Sequence, residues 1–278
     1  MTGNDLFKRE RTTEMRRVRA ILLAVLAAVL LGGCSSLTGV MDSRPEIPED
    51  PVAAAEALSV IAKLQQANGA LKTFKGVGRL TVRHEGKVQV DERMAWVGAP
   101  PLKLSVVLFA ASFPALRMAG DGEWLYYQDG QEPGAPVKQV RASDPDFKRI
   151  LSIPIQASDI IALMCGRMPL REHDRATIQP LASGQGYVLL LMDGRSVRQK
   201  IFFDETKSET RQTEIYDSWG RLVFQANFLE MQVVSGYRVP SRLVVSRGKE
   251  AMVQVLVEKY WADVPVTPEM FVLAAPPG

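Results

Sequence analysis

Residues 76–96 read GVGRLTVRHEGKVQVDERMAW, and this stretch decides the class of fold. From Arg79 onward its large apolar side chains fall on even-numbered positions, namely Leu80, Val82, Val88, Val90, Met94 and Trp96. A period of two is that of a β-strand with one buried face. Glu85-Gly86 divides the stretch into two such runs and is typical of a tight hairpin turn. The stretch therefore predicts two antiparallel strands.

Further strand-like runs continue from this stretch to residue 261, and together they make about a dozen strands. Turn-forming pairs separate them at hairpin distances: Asp121-Gly122, Asp129-Gly130, Asp193-Gly194, Ser235-Gly236 and Arg247-Gly248. Glycine accepts the backbone conformations of tight turns, and aspartate accepts hydrogen bonds from turn N–H groups. The pattern predicts an antiparallel, mostly up-and-down sheet.

One predicted helix precedes the strands, and two more interrupt them. Residues 53–71 place apolar side chains at three- and four-residue steps, which predicts an amphipathic helix with one face on the core. A second helix is expected from Asp144 to Leu151, and a third from an N-capping Ser158 to Cys165. The prediction is one α+β domain over residues 53–278.

The charge of the chain argues against nucleic-acid binding. The 278 residues carry a formal net charge of +3, with 46% hydrophobic and 23% charged side chains, a composition typical of a globular protein. Residues 1–33 hold six of the 34 basic and three of the 31 acidic side chains, so 28 of each sign remain downstream. A neutral body offers no basic surface for a polyanion.

The N-terminus predicts a secretory leader over residues 1–33. Arg16, Arg17 and Arg19 precede the uncharged apolar run at 20–31, which is followed by small residues. As a helix this run is only about 18 Å long, short of the ~30 Å hydrocarbon core of a bilayer. Translation could begin at Met1 or at Met15, since a start at Met15 gives a leader of ordinary length.

Leu31-Gly-Gly-Cys34 resembles the lipobox of bacterial lipoproteins. This resemblance implies a diacylglyceryl group on Cys34 and cleavage before it, with an ordinary leader as the alternative. Ser35 and Ser36, rather than Asp, follow the cysteine, which implies an anchor on the periplasmic face of the outer membrane. Two or more acyl chains anchor a protein stably. Residues 34–52, rich in Pro and acidic residues, are the expected lipidated tether.

The sequence contains no pattern typical of catalysis. It has no glycine-rich phosphate loop, no G-x-S-x-G motif and no His/Cys cluster at metal-ligand spacing. His84 and His173 are predicted in solvated turns, and Cys165 lies on the apolar side of a short helix, where it packs as a small hydrophobe. We therefore predict a protein that is not an enzyme and that uses neither a cofactor nor a metal.

Four stretches resemble the LolA/LolB-like lipoprotein-carrier superfamily, including its uncharacterised lipoprotein branch. They are residues 74–82 after the first helix, residues 96–122 with Pro101-Leu-Lys-Leu and Met118-Ala-Gly-Asp-Gly, Gly166-Arg-Met-Pro169, and Pro268-Glu-Met-Phe271 before the last residues. The resemblance implies a half-closed antiparallel β-barrel of about eleven strands, covered by a long N-terminal helix and short mid-chain helices. It also implies that the concave face holds acyl chains.

Alternate residues of the predicted strands share one face of the sheet, and on that face they supply an apolar wall for such a cavity. The candidate acyl-binding residues are Val82, Met94, Trp96, Leu104, Val106, Leu116, Met118, Trp124, Tyr126, Leu189, Leu191 and Phe224. The alternative is that they fill a closed core. In the outer-membrane receptor of the family, the loop after the strand that corresponds to residues 102–109 contacts the membrane. The resemblance implies that role here for Phe109 and Phe113.

Three functions remain open at this point. The first is an outer-membrane lipoprotein that binds acyl chains as a receptor or carrier in the localisation of lipoproteins or lipids. Its expected partners are the membrane, acyl chains and a periplasmic carrier protein. The second is a structural or assembly lipoprotein of an envelope complex with a filled cavity. The third is an envelope-stress sensor, which would need a regulatory partner domain.

Overall fold

The computed structural model describes residues 50–111, 113–130, 132 and 135–273. The predicted leader, its start codon, the lipidation site Cys34 and all but the end of the predicted tether lie outside the described residues. The strands are β1 (Phe74–His84), β2 (Lys87–Ala99), β3 (Lys103–Ala110), β4 (Phe113–Gly120), β5 (Trp124–Asp129), β6 (Lys138–Arg141), β7 (Arg175–Pro180), β8 (Tyr187–Asp193), β9 (Ser196–Phe203), β10 (Thr210–Tyr216), β11 (Leu222–Val234), β12 (Tyr237–Arg247) and β13 (Ala251–Ala262).

The strands form one antiparallel sheet, as the sequence predicted. Their order is β6-β5-β4-β3-β2-β1-β13-β12-β11-β10-β9-β8-β7, so every neighbour is a hairpin partner except β1, which pairs with β13. The sheet has thirteen strands rather than about eleven. Its edges β6 and β7 do not pair, so the sheet is open and curved rather than a closed barrel. The segment at 142–174 separates these edges in the chain and carries helices instead of a closing strand.

The predicted hairpin at Glu85-Gly86 is confirmed. Both residues have positive φ, at 49° and 78°, which suits the tight turn that right-twisted strands require. The turn sets a register in which Val82 lies opposite Val90 and Gly76 lies opposite Trp96. Even-numbered residues from Gly76 to Val82 and from Val90 to Trp96 therefore share one face, whereas Val88 lies beyond a register shift, opposite Arg83, and is 48% exposed.

A row of residues crosses the sheet on that same face. Successive pairings place opposite one another Val90, Val82, Val253, Val245, Ala226, Thr213, Ile201, Leu189 and Ile178. All but Thr213 are apolar, and the helices of the domain pack on this side. We call it the inner face.

The first helix, α1 (Pro51–Gln66), covers only one end of the inner face. Asp50 caps it by accepting a hydrogen bond from the Val52 N–H at 2.9 Å. At 16 residues it is shorter than the predicted helix at 53–71, because Asn68 adopts a left-handed φ of 53° and ends it. The prediction of a long N-terminal helix over the sheet is not supported. The buried residues of α1, namely Ala57, Val60 and Ile61, pack on Ile178, Leu189, Leu191, Ile201 and Phe203 of β7 to β9.

Two short helices cover the other part of the inner face, over β1 to β4, β12 and β13. They are α2 (Lys148–Leu151) and α3 (Ala157–Met164), close to the predicted mid-chain helices. Ser158 does not cap α3, since the N-cap residue is Gln156. The Ser158 hydroxyl instead donates to the Asp144 carboxylate at 2.7 Å. A 3₁₀ helix at Pro268–Phe271 follows the last strand.

Candidate functional site

An apolar cavity lies on the inner face between the sheet and the segment that carries α2 and α3. Its volume is about 110 Å³, and twenty residues line it. The sheet contributes Leu80, Met94, Trp96, Leu104, Val106, Leu108, Leu116, Met118, Leu243, Val245, Val253 and Val255. The covering segment contributes Phe147, Ile150, Leu151, Ile153, Ile155, Ile160, Leu163 and Met164. No lining residue is charged, so the cavity suits a hydrocarbon ligand.

The floor of the cavity depends on a glycine. The Trp96 indole lies directly against Gly76 of β1, where an added Cβ would come within 2.2 Å of the ring carbon Cζ2. Any larger side chain at residue 76 would push the indole up from the strand into the space between sheet and helices. The glycine therefore keeps an aromatic side chain flat on the sheet and leaves the cavity open above it.

Hydrogen bonds and one ion pair hold the cover in place. The Phe147 N–H donates to the Ile155 carbonyl at 3.0 Å, which joins the residue before α2 to the chain before α3. Tyr260 of β13 donates its hydroxyl to the Met164 carbonyl at 3.3 Å at the end of α3. The Asp159 carboxylate, only 2% exposed, accepts two hydrogen bonds from Arg171, at 2.8 and 2.6 Å. The cover is thus fixed by polar contacts and touches the cavity only with apolar side chains.

Four polar residues, Asp159, Arg171, Gln199 and Thr213, divide the inner face, and we call them the polar boundary. The Gln199 amide donates to the Pro169 carbonyl at 2.7 Å and to the Thr213 hydroxyl at 2.9 Å. Its oxygen accepts from the Arg171 N–H at 2.9 Å. Each residue has its partners, so the boundary avoids the large penalty of unpaired buried polar groups. Nothing in the sequence pattern indicated this cluster.

Six of the predicted acyl-binding residues line the cavity. They are Met94, Trp96, Leu104, Val106, Leu116 and Met118. Val82 is buried in the same apolar cluster but does not line the cavity. Trp124 lines a separate small pocket of about 20 Å³ beside Leu104, Val106 and Met118. The alternation in β2 to β4 thus gave side chains that the structure brings together.

The other predicted residues lie elsewhere. Tyr126 faces away from the cavity, because Tyr127 is the residue opposite Met118 and Tyr126 lies opposite Ala119. Leu189 and Leu191 are fully buried in the second apolar cluster beneath α1. Phe224 is fully buried beneath Arg171, whose guanidinium carbon lies 6.0 Å from the ring centroid.

Besides Leu80 and Leu108, two groups of lining residues were not predicted. Leu243, Val245, Val253 and Val255 alternate along β12 and β13, and the period of two in those runs was the signal that could have identified them. The residues of the covering segment, from Phe147 to Ile155, show no period. Their position depends on the tertiary contacts of the segment.

The two predicted membrane-contact residues lie on the β3–β4 hairpin. Phe113, the first residue of β4, is 76% exposed. Phe109 is half-buried and pairs with Pro114. Leu108 and Leu116, which line the cavity, lie opposite each other just inside this hairpin end. The exposed phenyl ring is therefore close in the chain to one end of the cavity wall.

The described residues also locate the groups considered for catalysis. They contain no group of three side chains that could hold a metal ion. Cys165 is fully buried, and burial raises the pKa of its thiol to about 12 although Arg167 acts in the opposite direction. A thiol with such a pKa is a poor nucleophile. His84 is exposed, and the His173 Nδ1 lies 2.8 Å from the Arg171 carbonyl oxygen.

Within the described part of the chain, none of the helices is long and apolar enough to cross a membrane.

Three solved structures have a similar architecture. A DUF1329 family protein from Desulfovibrio piger is 14% identical, with a TM-score of 0.51 over 79% of this chain and 97% of that chain. A LolA superfamily protein from Nitrosomonas europaea is 14% identical, with a TM-score of 0.49 over 78% and 97%. A protein domain from Vibrio parahaemolyticus, described as outer membrane lipoprotein-sorting, is 9% identical, with a TM-score of 0.45 over 78% and 97%.

No protein-family model and no curated protein sequence matches the chain. At identities this low a structural similarity establishes a fold and nothing more, and the Desulfovibrio piger structure carries that argument. The chain therefore shares the fold of that DUF1329 family protein. The superfamily that the sequence resembles is the one named for the Nitrosomonas europaea structure.

Proposed function

We propose that this chain is an outer-membrane lipoprotein that binds acyl chains in the apolar cavity, without catalysis, as a receptor or carrier in the localisation of lipoproteins or lipids. The observation that carries the proposal is the chemistry of the cavity wall. All twenty lining residues are apolar, and they come from both the sheet and its cover. Removal of apolar surface from water is the main favourable contribution that such a wall can make to binding.

In this proposal the acyl site consists of the residues that were predicted from the sequence and that also line the cavity. Leu104, Val106 and Leu116 are only half-buried, so they keep apolar surface that a ligand can cover. Residues 1–33 would be removed as the leader, residues 34–52 would tether the protein, and residues 53–278 would form the binding domain. Lipidation of Cys34 would place that domain on the periplasmic face of the outer membrane.

Mass spectrometry of bound lipids and lipopeptides tests the acyl site. Residues 35–278 contain every described strand and both apolar clusters, so they can be purified as a soluble domain without the acyl anchor. We expect an acylated molecule at close to one per domain. Leu104→Gln should abolish its recovery. Val107→Gln, on the other face of the same strand, is the matched control and should retain it.

A folded, ligand-free domain would overturn acyl binding and favour the alternative of an assembly lipoprotein. That alternative has one observation in its support, because the inner face beneath α1 is already filled by side chains. The anchor has a separate test. Cys34→Ala should remove the acyl mass and release the protein from the membrane fraction, whereas an unchanged distribution would contradict lipidation.

The proposed contact of Phe113 with lipid can be tested with liposomes. Phe113→Ser should weaken the binding of the unacylated domain to vesicles, because serine cannot make the apolar contact that the aromatic ring makes in the membrane interface. Trp219→Ser is a matched control, since Trp219 is also 76% exposed but lies in the β10–β11 turn. An equal loss in both variants would contradict a specific role for Phe113.

A further inference from the structure

A second cavity lies at the C-terminal end of α1, and we call it the helix-end cavity. Its volume is about 390 Å³, and it shares no lining residue with the apolar cavity. One wall is apolar and consists of Val60, Leu64, Met168, Phe203, Phe228 and Met231. The opposite wall includes the β9–β10 turn, with the hydroxyl groups of Thr206, Ser208 and Thr210. A cavity with two such walls suits an amphiphile rather than a hydrocarbon.

The polar wall is organised before any ligand binds. Asp204 accepts hydrogen bonds from the Thr206 hydroxyl at 2.6 Å and from the N–H groups of Ser208 and Glu209 at 2.8 and 3.1 Å. Burial alone would raise the pKa of Asp204, but these hydrogen bonds lower it to about 2, so the carboxylate stays ionised and holds the turn. A preformed wall reduces the ordering cost of binding.

The junction at the end of α1 is equally fixed. The Asn68 amide donates to the carbonyl groups of Cys165 and Arg238, at 2.8 and 2.7 Å. Gly166 fits beneath this contact with a φ of 68°, and an added Cβ there would lie 2.2 Å from the Arg238 carbonyl oxygen. The cavity is therefore bounded on this side by backbone that cannot easily move.

The cations that line the cavity differ in their ion pairing. Lys207 pairs with Glu56, and Arg238 pairs with Glu209 at 2.7 Å. Lys63, in the last turn of α1, makes no ion pair with the described residues. Its ammonium group is available to an anionic ligand whose hydrocarbon part lies on the apolar wall.

We propose that the helix-end cavity binds an anionic amphiphile, with its anionic group on Lys63 and its hydrocarbon part on Phe203, Phe228 and Met231. The site is separate from the acyl cavity and does not depend on the function proposed above.

Methionine methyl signals distinguish the two cavities. Met168 and Met231 line the helix-end cavity, whereas Met94, Met118 and Met164 line the apolar cavity. Residues 35–278 carrying ¹³C-methyl methionine can be titrated with decanoate below its micellar concentration, and with 1-decanol as the uncharged probe. We expect decanoate to shift the Met168 and Met231 signals, and decanol to shift them less.

Substitution of Lys63 tests the assigned role. Because Lys63 is exposed, Lys63→Gln should fold normally and weaken decanoate binding at Met168 and Met231 by about fivefold, the limit for an exposed ion pair. Lys63→Arg should restore the affinity. Lys249→Gln, in the β12–β13 turn, is the matched control and should have no effect.

Two results would overturn the proposal. One is the absence of any shift at Met168 and Met231 at decanoate concentrations that fully shift Met94 and Met118. The other is unchanged affinity in Lys63→Gln. If only the proposed acyl binding in the apolar cavity is wrong, the Met94 and Met118 signals would stay unshifted while those of Met168 and Met231 shift.

Discussion

The two ends of the inner face are both built from apolar strand residues, but they are packed differently. Beneath α1, Leu189 and Leu191 of β8 are fully buried in a filled cluster. On β3 and β4, Leu104 and Leu116 are half-buried and line a cavity. The polar boundary lies between these ends. We call them the filled end and the open end.

The difference arises from the cover and not from the sheet. The filled end is covered by α1, which inserts Ala57, Val60 and Ile61 between the strand side chains. The open end is covered by two short helices joined by irregular chain, and side chains such as Ile150 remain 48% exposed there. An apolar strand face thus becomes core or binding wall according to the element that packs on it.

The largest expected difference comes from the same substitution at both ends. Leu191→Ala should destabilise the domain by about 3 kcal/mol, because the filled end cannot collapse around the missing side chain. Leu104→Ala should cost only about 1 kcal/mol, since Leu104 already borders empty space. Urea unfolding of the soluble domain measures both. Equal losses would mean that the open end is packed as tightly as the filled end.

Removal of the ion pair in the polar boundary should have the next largest effect. Asp159→Ala leaves the part-buried Arg171 without its carboxylate, and we expect a loss of about 2–3 kcal/mol, at or below the range for buried pairs. Glu123→Ala breaks the exposed pair with Arg141 at the open end and should cost at most about 0.5 kcal/mol. Thermal unfolding compares the two variants. A loss for Asp159→Ala as small as that for Glu123→Ala would show that the boundary does not hold the cover.

The sequence predicted the open end better than the filled end. In β2 to β4 the alternation is clear, and the residues it selected, such as Met94 and Met118, line the cavity. In β5 the run from Trp124 to Tyr127 is apolar or aromatic at every position, so alternation could not choose between Tyr126 and Tyr127. Only the register with β4 decides that Tyr127 lies on the inner face.

Features that depend on tertiary contacts were beyond the sequence pattern. Leu189 and Leu191 alternate with equally apolar neighbours, which left open which side a helix would cover. The covering segment has no period, and Gln199 of the polar boundary lies in a strand where nothing marks it as buried. The sheet and its hairpins follow from local rules, whereas the cavity follows from how the helices are placed on the sheet.

Larger side chains should also affect the two ends differently: they should destabilise the filled end and be tolerated at the open end. Ala57→Leu places three more carbon atoms over Leu189 and Leu191, and overpacking there should cost about 1–2 kcal/mol. Val106→Leu extends into the cavity and should be neutral or stabilise by about 0.5 kcal/mol. Chemical denaturation of both variants provides the measurement. A stabilising Ala57→Leu would contradict the description of the filled end.

The smallest expected effect compares two aspartates that each hold a turn. Asp204, near the filled end, accepts hydrogen bonds within the β9–β10 turn, and they lower its pKa to about 2 although burial alone would raise it. Asp121, at the open end, accepts hydrogen bonds from the N–H groups of Glu123 and Trp124 at 2.8 and 2.7 Å. Its pKa is also lowered, because these hydrogen bonds outweigh the effect of burial.

A lowered pKa in the folded state sets the pH range of this effect. Each carboxylate stabilises the fold above its unfolded pKa, about 3.9, and the contribution is lost as the pH falls through the folded pKa. Asp204→Asn should therefore lower the Tm at pH 7, and its difference from wild type should disappear as the pH falls from about 4 to about 2. Asp121→Asn should also lower the Tm at pH 7, and its Tm difference from wild type should likewise disappear as the pH falls. A Tm difference that persists at pH 2 would mean that the side chain stabilises the turn through packing and not through its charge.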